Sequence, residues 1–320
     1  MKGKLSRGRK ILYLTGAVSA LISFALLCPK NSELILDTPV HVLETESCSQ
    51  PSGKIAPEDV SVFLDSELYC RNAYLCLADT RSVIAEKESG EKVSPASLTK
   101  IMTTVVLLEN AVDLDAKVTV PSEIYDELYR NGAAMAGFLP GEVVSLKDLV
   151  YGIMLPSGAE AAAAAAEYVF GGQDKLVEKM NIKALEMGLS NTHFENIYGF
   201  DEEGHYSNAA ELAQILMYAI KNETFCEIVQ NESYSVPPTN KHPQGFTMKS
   251  TVFSKIGDAA AEEAVILGGK TGYTYDAGLC LATYATKDNR VYVAVVLGVE
   301  GNHRTKQYQV DDTIYLYNLI

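Results

Sequence analysis

The chain has 320 residues, of which 47% are hydrophobic and 21% charged, a composition typical of a globular protein with one large domain or two small ones. The formal net charge is −14, and because the first ten residues carry five basic side chains, the rest of the chain carries −19. An acidic body of this kind argues against nucleic acid as a partner.

The N-terminal segment combines a basic tail with an apolar run. Residues 11–28 read ILYLTGAVSALISFALLC and contain no charge. This run of 18 residues is about the shortest that spans a bilayer as a helix. The preceding positive charges predict that the chain after Cys28 lies outside the cytoplasm. Leu26 and Leu27 are bulky where a signal peptidase needs small residues. We therefore expect an uncleaved membrane anchor in residues 1–28, with a cleaved signal as the alternative.

Residues 29–66 are polar and contain four prolines scattered among acidic residues, which predicts an extracytoplasmic stalk. The folded domain is then expected over residues 67–320. Five cysteines follow Cys28, and an exported chain can form disulfides. Cys48 with Cys70 is the first pair to test, although buried thiols are the simpler expectation.

The hydrophobic periodicity predicts strands at both ends of this domain and helices between them. The strand NAYLCLADT (72–80) is followed by a second strand, a Ser89-Gly90 turn and a return within residues 82–94. Helices are expected from Ser97, over residues 145–153, 159–170 and 173–187, and from a Ser207 or Asn208 cap to residue 220. Strands follow over residues 264–272, 278–286 and 290–299, with a last helix over 313–320. This order indicates an α+β fold in which an antiparallel β-sheet is packed with helices and closed by both ends of the chain.

The helix that begins SPASLTKIMT pairs a serine with a lysine. Ser97 and Lys100 stand at positions i and i+3 and share a helix face. Burial among apolar neighbours would lower the pKa of the lysine, so that its neutral amine could take the proton of the serine hydroxyl. On this pair alone, a capping serine with a lysine that extends to solvent is the more common interpretation. A second S-x-x-K match, at Ser89, lies in a charged turn and cannot present both groups on a packed face.

Two further motifs follow along the chain. Lys270-Thr271-Gly272 ends a predicted strand, where a cation, a hydroxyl and a close-approach glycine suit a ligand with a free carboxylate. Ser157-Gly158-Ala159 precedes the alanine-rich helix and by itself is an ordinary cap. Together with Ser97 and Lys100, these motifs follow the order S-x-x-K, S-x-N and K-T-G of active-site-serine penicillin-recognising enzymes.

The chain resembles the D-alanyl-D-alanine carboxypeptidases of the low-molecular-mass penicillin-binding protein type, which are the S11 serine peptidases. The resemblance extends roughly over residues 73–298 and rests on the stretches SPASLTKIMT, AGFLPGEVVSLKDLVYGIMLPSGAEAA, MGLSNTHFENIYGFDEEGHYSNAAELAQI and GGKTGYTYDAGLCLATYA. It implies a serine β-lactamase/DD-peptidase-like (penicillin-binding transpeptidase-like) fold. It also implies a bacterial enzyme with an extracytoplasmic catalytic domain over residues 67–320, and a reaction that needs no metal or other cofactor.

The resemblance also implies catalytic roles. Ser97 would attack the carbonyl of the penultimate D-alanine in a peptidoglycan stem peptide, and Lys100 would take its proton. Ser157 would relay a proton toward the leaving D-alanine nitrogen. The backbone N–H groups of Ser97 and Tyr273 would form an oxyanion hole. Water would then hydrolyse the acyl-enzyme.

The implied binding residues lie in and directly after the motif Lys270-Thr271-Gly272. Lys270 and Thr271 would hold the terminal carboxylate, and Gly272 and Tyr273 would complete the substrate-binding strand. The expected partners are a stem peptide that ends in D-Ala-D-Ala, β-lactams as covalent inhibitors, and the membrane through residues 11–28.

One position departs from the family pattern, because Ala159 stands where an asparagine is usual. Loss of that amide would remove about 2 to 4 kcal/mol of transition-state stabilisation unless another group replaces it. A catalytically weak penicillin-binding or wall-sensing protein therefore stays open, as does a β-lactamase-like hydrolase with Glu160 as a weak candidate for deacylation. Short relatives include accessory carboxypeptidases of glycopeptide resistance. A metal site at His193 and His205 is disfavoured, because no H-E-x-x-H spacing occurs.

Overall fold

The computed structural model describes residues 62–64, 68–257 and 259–320. The expected anchor at residues 11–28, almost all of the expected stalk and Cys48 lie outside these residues. Within the described part of the chain, no helix has both the length and the apolar character needed to cross a bilayer. Cys70 is described and carries a buried thiol.

A six-stranded sheet organises the fold, and two short two-stranded sheets, β4–β5 and β6–β7, lie outside it. The strands are β1 (Val62–Phe63), β2 (Asn72–Leu77), β3 (Val83–Lys87), β4 (Lys117–Thr119), β5 (Val143–Ser145), β6 (Ser233–Val236), β7 (Phe246–Lys249), β8 (Val265–Thr274), β9 (Gly278–Lys287) and β10 (Arg290–Val299). The main sheet has the order β1-β3-β2-β10-β9-β8 and is antiparallel except for the β1–β3 pair. Since β2 pairs with β10, the N-terminal and C-terminal strands close one sheet, which confirms the predicted α+β class.

The helices occupy both faces of this sheet. They are α1 (Thr99–Asn110), α2 (Tyr125–Arg130), α3 (Leu146–Met154), α4 (Ala159–Phe170), α5 (Gln173–Glu186), α6 (Ala209–Ala219), α7 (Glu223–Val229), α8 (Thr251–Ile256) and α9 (Tyr308–Tyr317). Alternate residues of a strand point to opposite faces. Accordingly, Tyr74 and Cys76 of β2 join the core beneath the central helices, whereas Ala73 and Leu75 join the core beneath α9.

Helix α1 lies inside the helical body and contacts α3, α4, α5, α6 and α7. Its residues from Thr99 to Leu107 are all buried, including the polar Thr103 and Thr104. A helix surrounded in this way has no solvent-facing side near its start. Lys100 is the second residue of α1, so the helices packed around α1 bury its side chain.

Two predicted boundaries are wrong for identifiable reasons. Residues after the Ser89-Gly90 turn do not return as a strand, because Val93 forms an isolated bridge with Ser207 instead. The last helix begins at Tyr308 rather than residue 313, and Asp312 inside it accepts hydrogen bonds from the backbone N–H groups of residues 69 and 70. Both aspartates before TIYLYNLI are thus helical residues, and Asp312 ties α9 to the segment just before β2.

Candidate active site

Ser97 lies in a single 3₁₀ turn, Ala96–Leu98, that leads directly into α1. Ala96 has a φ of +47°, which is rare for a residue with a side chain. The Thr99 hydroxyl, 2.8 Å from the Ala96 carbonyl oxygen, donates to it and lies 2.8 Å from Nε2 of His205. Ser97 therefore stands at the predicted helix start, and its hydroxyl faces the cleft described below.

Lys100 is the base candidate, and its ammonium group is enclosed. Its side chain is 2% exposed, and Nζ donates to Ser97 Oγ at 3.1 Å and to the Tyr198 carbonyl oxygen at 2.8 Å. Burial lowers the pKa of Lys100 to about 7, against an opposing attraction from Glu160. A lysine in this range alternates between ammonium and amine near neutral pH, as a general base requires.

The Tyr198 carbonyl is a functional group that the sequence did not single out. Oδ1 of Asn196 accepts hydrogen bonds from the backbone N–H groups of Tyr198, Gly199 and Phe200, at 2.7 to 3.1 Å, which bends the chain toward Ser97. This turn lies in MGLSNTHFENIYGFDEEGHYSNAAELAQI, one of the stretches on which the resemblance rests. A turn held by one side chain leaves no repeating hydrophobic pattern in the sequence. Only the Asn-x-x-Gly spacing of residues 196–199 could have indicated this turn.

Ser157 faces the same cleft from the loop between α3 and α4. Its φ of +70° places a residue with a side chain in the left-handed region, a conformation that costs about 1 to 3 kcal/mol. The hydroxyl is buried and has no hydrogen-bond partner among the described residues. A strained residue with an unsatisfied buried hydroxyl beside a nucleophile indicates a site arranged for a ligand rather than for stability.

The residues after Ser157 anchor a neighbouring loop around residues 134–138. Ala159 is fully buried and its N–H donates to the Ala134 carbonyl oxygen at 2.8 Å, so it presents no polar group of its own to the cleft. Oε1 of Glu160 accepts hydrogen bonds from the backbone N–H groups of Ala136, Gly137 and Phe138 at 2.7 to 3.2 Å. Burial raises the pKa of Glu160, while those N–H donors favour its charged form. This carboxylate holds residues 136–138, which follow the cleft-lining residues 131–134.

The third motif along the chain, Lys270-Thr271-Gly272, lies on β8. Lys270 is fully buried and its Nζ donates to the Thr271 carbonyl oxygen at 2.9 Å. Burial, together with the nearby charge of Lys100, keeps the pKa of Lys270 well below its ordinary value. Thr271 Oγ1 lies 2.7 Å from Thr251 Oγ1, and because the Thr251 hydroxyl donates to the Leu155 carbonyl oxygen at 3.1 Å, Thr271 is the donor between the two hydroxyls. A Cβ on Gly272 would lie 3.3 Å from the backbone nitrogen of Ser97, so glycine lets the strand lie beside the nucleophile.

These elements enclose a cleft of about 570 Å³, a volume suited to a short peptide. Its lining includes Ser97, Lys100, Ser157, Thr271, Gly272 and Tyr273, together with residues that sequence reasoning missed: Asn131, Gly132, Thr251, Lys255, Asp201 and His303. Asp201, one of these lining residues, accepts hydrogen bonds at Oδ1 from the hydroxyls of Ser94 and Thr274, at 2.6 and 2.8 Å. Six of the seven predicted site residues therefore line this cavity, and Lys270 lies buried behind its wall.

His193 and His205, the two histidines considered as metal ligands, make other contacts. His205 is buried, accepts a hydrogen bond at Nδ1 from the Glu195 N–H and has a pKa lowered by burial to about 4. His193 pairs with Glu195 at 3.2 Å near the surface. In the described part of the chain, no group of three or more His, Cys, Asp or Glu side chains is arranged to hold a metal ion.

Comparison with known proteins agrees with this geometry. A model of the peptidase S11 family, described as D-alanyl-D-alanine carboxypeptidase, matches residues 61–301. The D-alanyl-D-alanine carboxypeptidase DacF of Bacillus subtilis is 36% identical over 233 residues, which is 71% of this chain and 57% of that protein. The D-alanyl-D-alanine carboxypeptidase of Streptomyces sp. strain K15 is 33% identical over 225 residues, which is 68% of this chain and 77% of that protein. The chain thus spans little more than half of DacF.

A solved structure gives the same result for the fold. The crystal structure of the Streptomyces K15 DD-transpeptidase superposes with a TM-score of 0.72 at 28% identity. The superposition covers 80% of this chain and 98% of that chain. The predicted DD-peptidase-like architecture is confirmed.

Proposed function

The chain belongs to the peptidase S11 family of D-alanyl-D-alanine carboxypeptidases, and from this premise we propose that it is a serine-type D-Ala-D-Ala carboxypeptidase. The substrate is a peptidoglycan stem pentapeptide, from which the enzyme removes the terminal D-alanine through an acyl-enzyme. The observation that carries the proposal is the 3.1 Å approach of a buried Lys100 amine to the Ser97 hydroxyl.

Acylation begins when Lys100, as the neutral amine, takes the hydroxyl proton of Ser97. Ser97 Oγ attacks the carbonyl carbon of the penultimate D-alanine, and the carbonyl oxygen becomes an oxyanion. The backbone N–H groups of Ser97 and Tyr273 stabilise that oxyanion. The close approach of β8 at Gly272 supports this role, because it brings the two backbones side by side.

Collapse of the tetrahedral intermediate breaks the bond to the terminal D-alanine nitrogen, which must gain a proton as it leaves. Ser157 relays this proton from Lys100, and its unpaired buried hydroxyl supports the role, since no described protein group competes for it. Water then attacks the acyl-enzyme, Lys100 accepts the water proton, and Ser97 leaves with its hydroxyl restored.

The terminal carboxylate of the substrate lies against Thr271. The Thr251 hydroxyl donates to the Leu155 carbonyl oxygen at 3.1 Å and accepts from Thr271, so the Thr271 hydroxyl turns from Thr251 to the carboxylate when the substrate binds. Lys270 acts from behind this wall. An approaching carboxylate offsets the desolvation of its ammonium group and raises its pKa, so substrate binding favours the charged lysine. Lys270, Thr271, Gly272 and Tyr273 together form the substrate-binding strand.

Release of D-alanine tests the function. The purified chain is incubated with a pentapeptide that ends in D-Ala-D-Ala, and free D-alanine is measured beside a Ser97→Ala variant. We expect release by the wild-type chain and none by the variant. Equal release from both would contradict the proposal.

A fluorescent penicillin separates the alternatives in the same preparation. Stable labelling of Ser97 without D-alanine release would favour a catalytically weak penicillin-binding or wall-sensing protein. Rapid loss of the label would favour a β-lactamase-like hydrolase. A deacylating role for Glu160 is disfavoured, because the residue is fully buried and does not line the cleft.

The cellular setting is part of the proposal. Residues 11–28 anchor the chain in the bacterial cell membrane, and the catalytic domain acts on the extracytoplasmic side. An accessory role in glycopeptide resistance fits an enzyme that trims pentapeptides. Mass spectrometry of the mature N-terminus tests the anchor, because a start near residue 29 would show that the segment is cleaved.

A further inference from the structure

Asn131 offers the cleft a side-chain amide that neither the motifs nor the proposed mechanism uses. Among the described residues that line the cleft, no other carries an amide side chain. The S-x-N pattern would place an asparagine at residue 159, where this chain has the fully buried Ala159. Lys100 needs no replacement for that amide, because its Nζ already donates to Ser97 and Tyr198. A replacing group is therefore expected to act on the substrate.

Asn131 ends helix α2 in a fixed backbone conformation. It is the C-cap residue, and the two residues after it complete a Schellman motif. The Gly132 N–H donates to the Tyr129 carbonyl oxygen at 3.1 Å. The Ala133 N–H donates to the Leu128 carbonyl oxygen at 2.9 Å. Since Gly132 has the positive φ that this motif requires, +60°, the chain holds Asn131 at the cleft without strain.

The side-chain amide of Asn131 is oriented by its own helix. Its Nδ2 donates to the Glu127 carbonyl oxygen at 3.1 Å, and because a carbonyl oxygen can only accept, this contact fixes which end of the amide is the nitrogen. The second N–H of Nδ2 and the oxygen Oδ1 have no partner among the described residues, and the side chain is exposed on the cleft wall. One free donor and one free acceptor suit a peptide bond, which presents the same two groups.

The loop that carries this amide is joined to the position where the asparagine is missing. The Ala159 N–H donates to the Ala134 carbonyl oxygen at 2.8 Å, which ties the end of the cleft-lining residues 131–134 to the start of α4. A Cβ atom on Gly158 would lie 2.5 Å from Cβ of Ala136, so the next part of the loop packs directly on the residue before Ala159. The Asn131 amide therefore enters the cleft from a segment fixed to this position.

We propose that the Asn131 amide hydrogen-bonds the peptide bond directly before the penultimate D-alanine and replaces the amide absent at residue 159. The inference rests on the proposed function, because it assigns a substrate-binding residue to the same cleft. Asn131 and Ser157 line the cleft with Ser97, which attacks the carbonyl of the penultimate D-alanine. Consecutive Cα atoms are about 3.8 Å apart, so the preceding peptide bond is the next one along the cleft. Asn131 then orients the acyl part of the substrate, on the other side of the scissile bond from the terminal carboxylate.

The test compares three substrates that differ only at that peptide bond, with released D-alanine as the measurement. The first ends in D-Ala-D-Ala. In the second, D-lactate replaces the penultimate D-alanine, so that the preceding bond is an ester without an N–H. In the third, a CH(CF₃)–NH unit replaces the preceding amide and lacks its carbonyl oxygen. Asn131→Ala should lower kcat/KM for the first substrate by roughly tenfold, the size of one lost hydrogen bond.

The two altered substrates identify the partner of Asn131. On the one that lacks this partner, Asn131→Ala should lower kcat/KM by less than about twofold, because the hydrogen bond is already absent. A small effect on the ester assigns the substrate N–H to Oδ1, and a small effect on the third substrate assigns the carbonyl oxygen to Nδ2. Equal losses on all three substrates would overturn the contact.

Asn110→Ala is the matched control. Asn110 ends α1, is exposed, and donates through Nδ2 to the Val106 carbonyl oxygen at 2.8 Å, the same i to i−4 bond that Asn131 makes, but it does not line the cleft. The control variant should leave kcat/KM unchanged for all three substrates. An equal loss in both variants would show a general effect of the lost helix-end bond and overturn the role of Asn131.

Equilibrium binding separates this inference from the proposed reaction. In a Ser97→Ala background, calorimetry of the D-Ala-D-Ala peptide should show that Asn131→Ala raises Kd by roughly tenfold, with no turnover needed. An unchanged Kd would overturn the role of Asn131. Failure of the wild-type chain to release D-alanine, with the Kd effect intact, would overturn the proposed reaction alone.

Discussion

A Cβ atom on Gly199 would lie 1.8 Å from the carbonyl oxygen of Ala96, the residue that precedes the candidate nucleophile. The turn that carries the Tyr198 carbonyl and the turn that carries Ser97 are therefore in backbone contact. Gly199 has a φ of +88°, so both space and conformation require glycine. The acceptor for Lys100 is placed by this contact, over about a hundred residues of sequence separation.

Gly199→Ala should therefore destabilise the fold and displace the nucleophile together. We expect a loss of more than about 3 kcal/mol in the free energy of unfolding, because a backbone must move. We also expect at least a 100-fold loss in kcat/KM, since small displacements of a nucleophile are costly. Denaturant unfolding and D-alanine release measure the two effects.

Gly188→Ala is the matched control, because Gly188 also has a positive φ, +75°, but nothing lies within 4 Å of the position that its Cβ would take. It should lose about 1 to 2 kcal/mol from the left-handed conformation and keep its activity. Equal behaviour of the two variants would mean that the Ala96 contact is unimportant.

Ser157 should show opposite effects on activity and stability. Ser157→Ala removes a buried hydroxyl that has no described partner, so the free energy of unfolding should stay equal or rise by about 1 kcal/mol. Turnover should fall by roughly 10² to 10³ if Ser157 relays the proton as proposed. Thr104→Val removes another unpaired buried hydroxyl, within α1 and away from the cleft lining, and should raise stability without loss of turnover. A Ser157→Ala enzyme with wild-type turnover would rule out the relay.

The sequence predicted those parts of the site that lie within continuous elements. Ser97 with Lys100 and the strand that carries Lys270 could be found because both motifs have a fixed local spacing on a strongly patterned helix or strand. The long helices and strands were predicted for the same reason. Helices α2, α7 and α8 were missed because six or seven residues do not establish a period.

The missing parts depend on contacts between distant segments. The Tyr198 carbonyl meets Lys100 across 98 residues, and Glu160 holds a loop more than 20 residues before it. Each of these residues acts through contacts between distant segments, and the spacing of residues along the sequence does not predict such contacts.

Glu160 should tune the base as well as hold the cleft loop. Its negative charge raises the pKa of Lys100, so Glu160→Gln should lower that pKa and move the acidic limb of kcat/KM to lower pH. The glutamine oxygen can still accept from the N–H groups of residues 136–138, so a moderate loss of about 1 to 3 kcal/mol in stability is expected. The measurement is the pH profile of D-alanine release.

Glu142→Gln supplies the control for this change. Glu142 is also fully buried, and it accepts hydrogen bonds from Leu139 N–H and Thr239 Oγ1, but it does not line the cleft. Glu142→Gln should destabilise the fold to a similar extent and leave the pH dependence of D-alanine release unchanged. A profile that moves equally in both variants would show a general effect of lost charge and not a contact-specific one.

The protonation of Lys100 should set the lower pH limit of activity. Burial lowers its pKa to about 7, and only the neutral amine can accept the Ser97 proton. kcat/KM should therefore rise with pH, with an apparent pKa near 7 in the free enzyme. Lys100→Arg keeps the positive charge but cannot deprotonate, so it should release no D-alanine at any pH.

The same shift has a defined sign for stability. The folded-state pKa of Lys100 lies below its unfolded value of about 10.4, so between pH 7 and 10 the unfolded chain binds more protons than the folded chain. The contribution of Lys100 to the free energy of unfolding thus becomes less unfavourable as pH rises through this window. Lys100→Met removes the buried ammonium group, so it should be more stable than the wild-type chain at pH 6, and that advantage should shrink by pH 9. Denaturant unfolding at the two pH values measures the difference, and an advantage that grows with pH would mean that Lys100 is not a desolvated base.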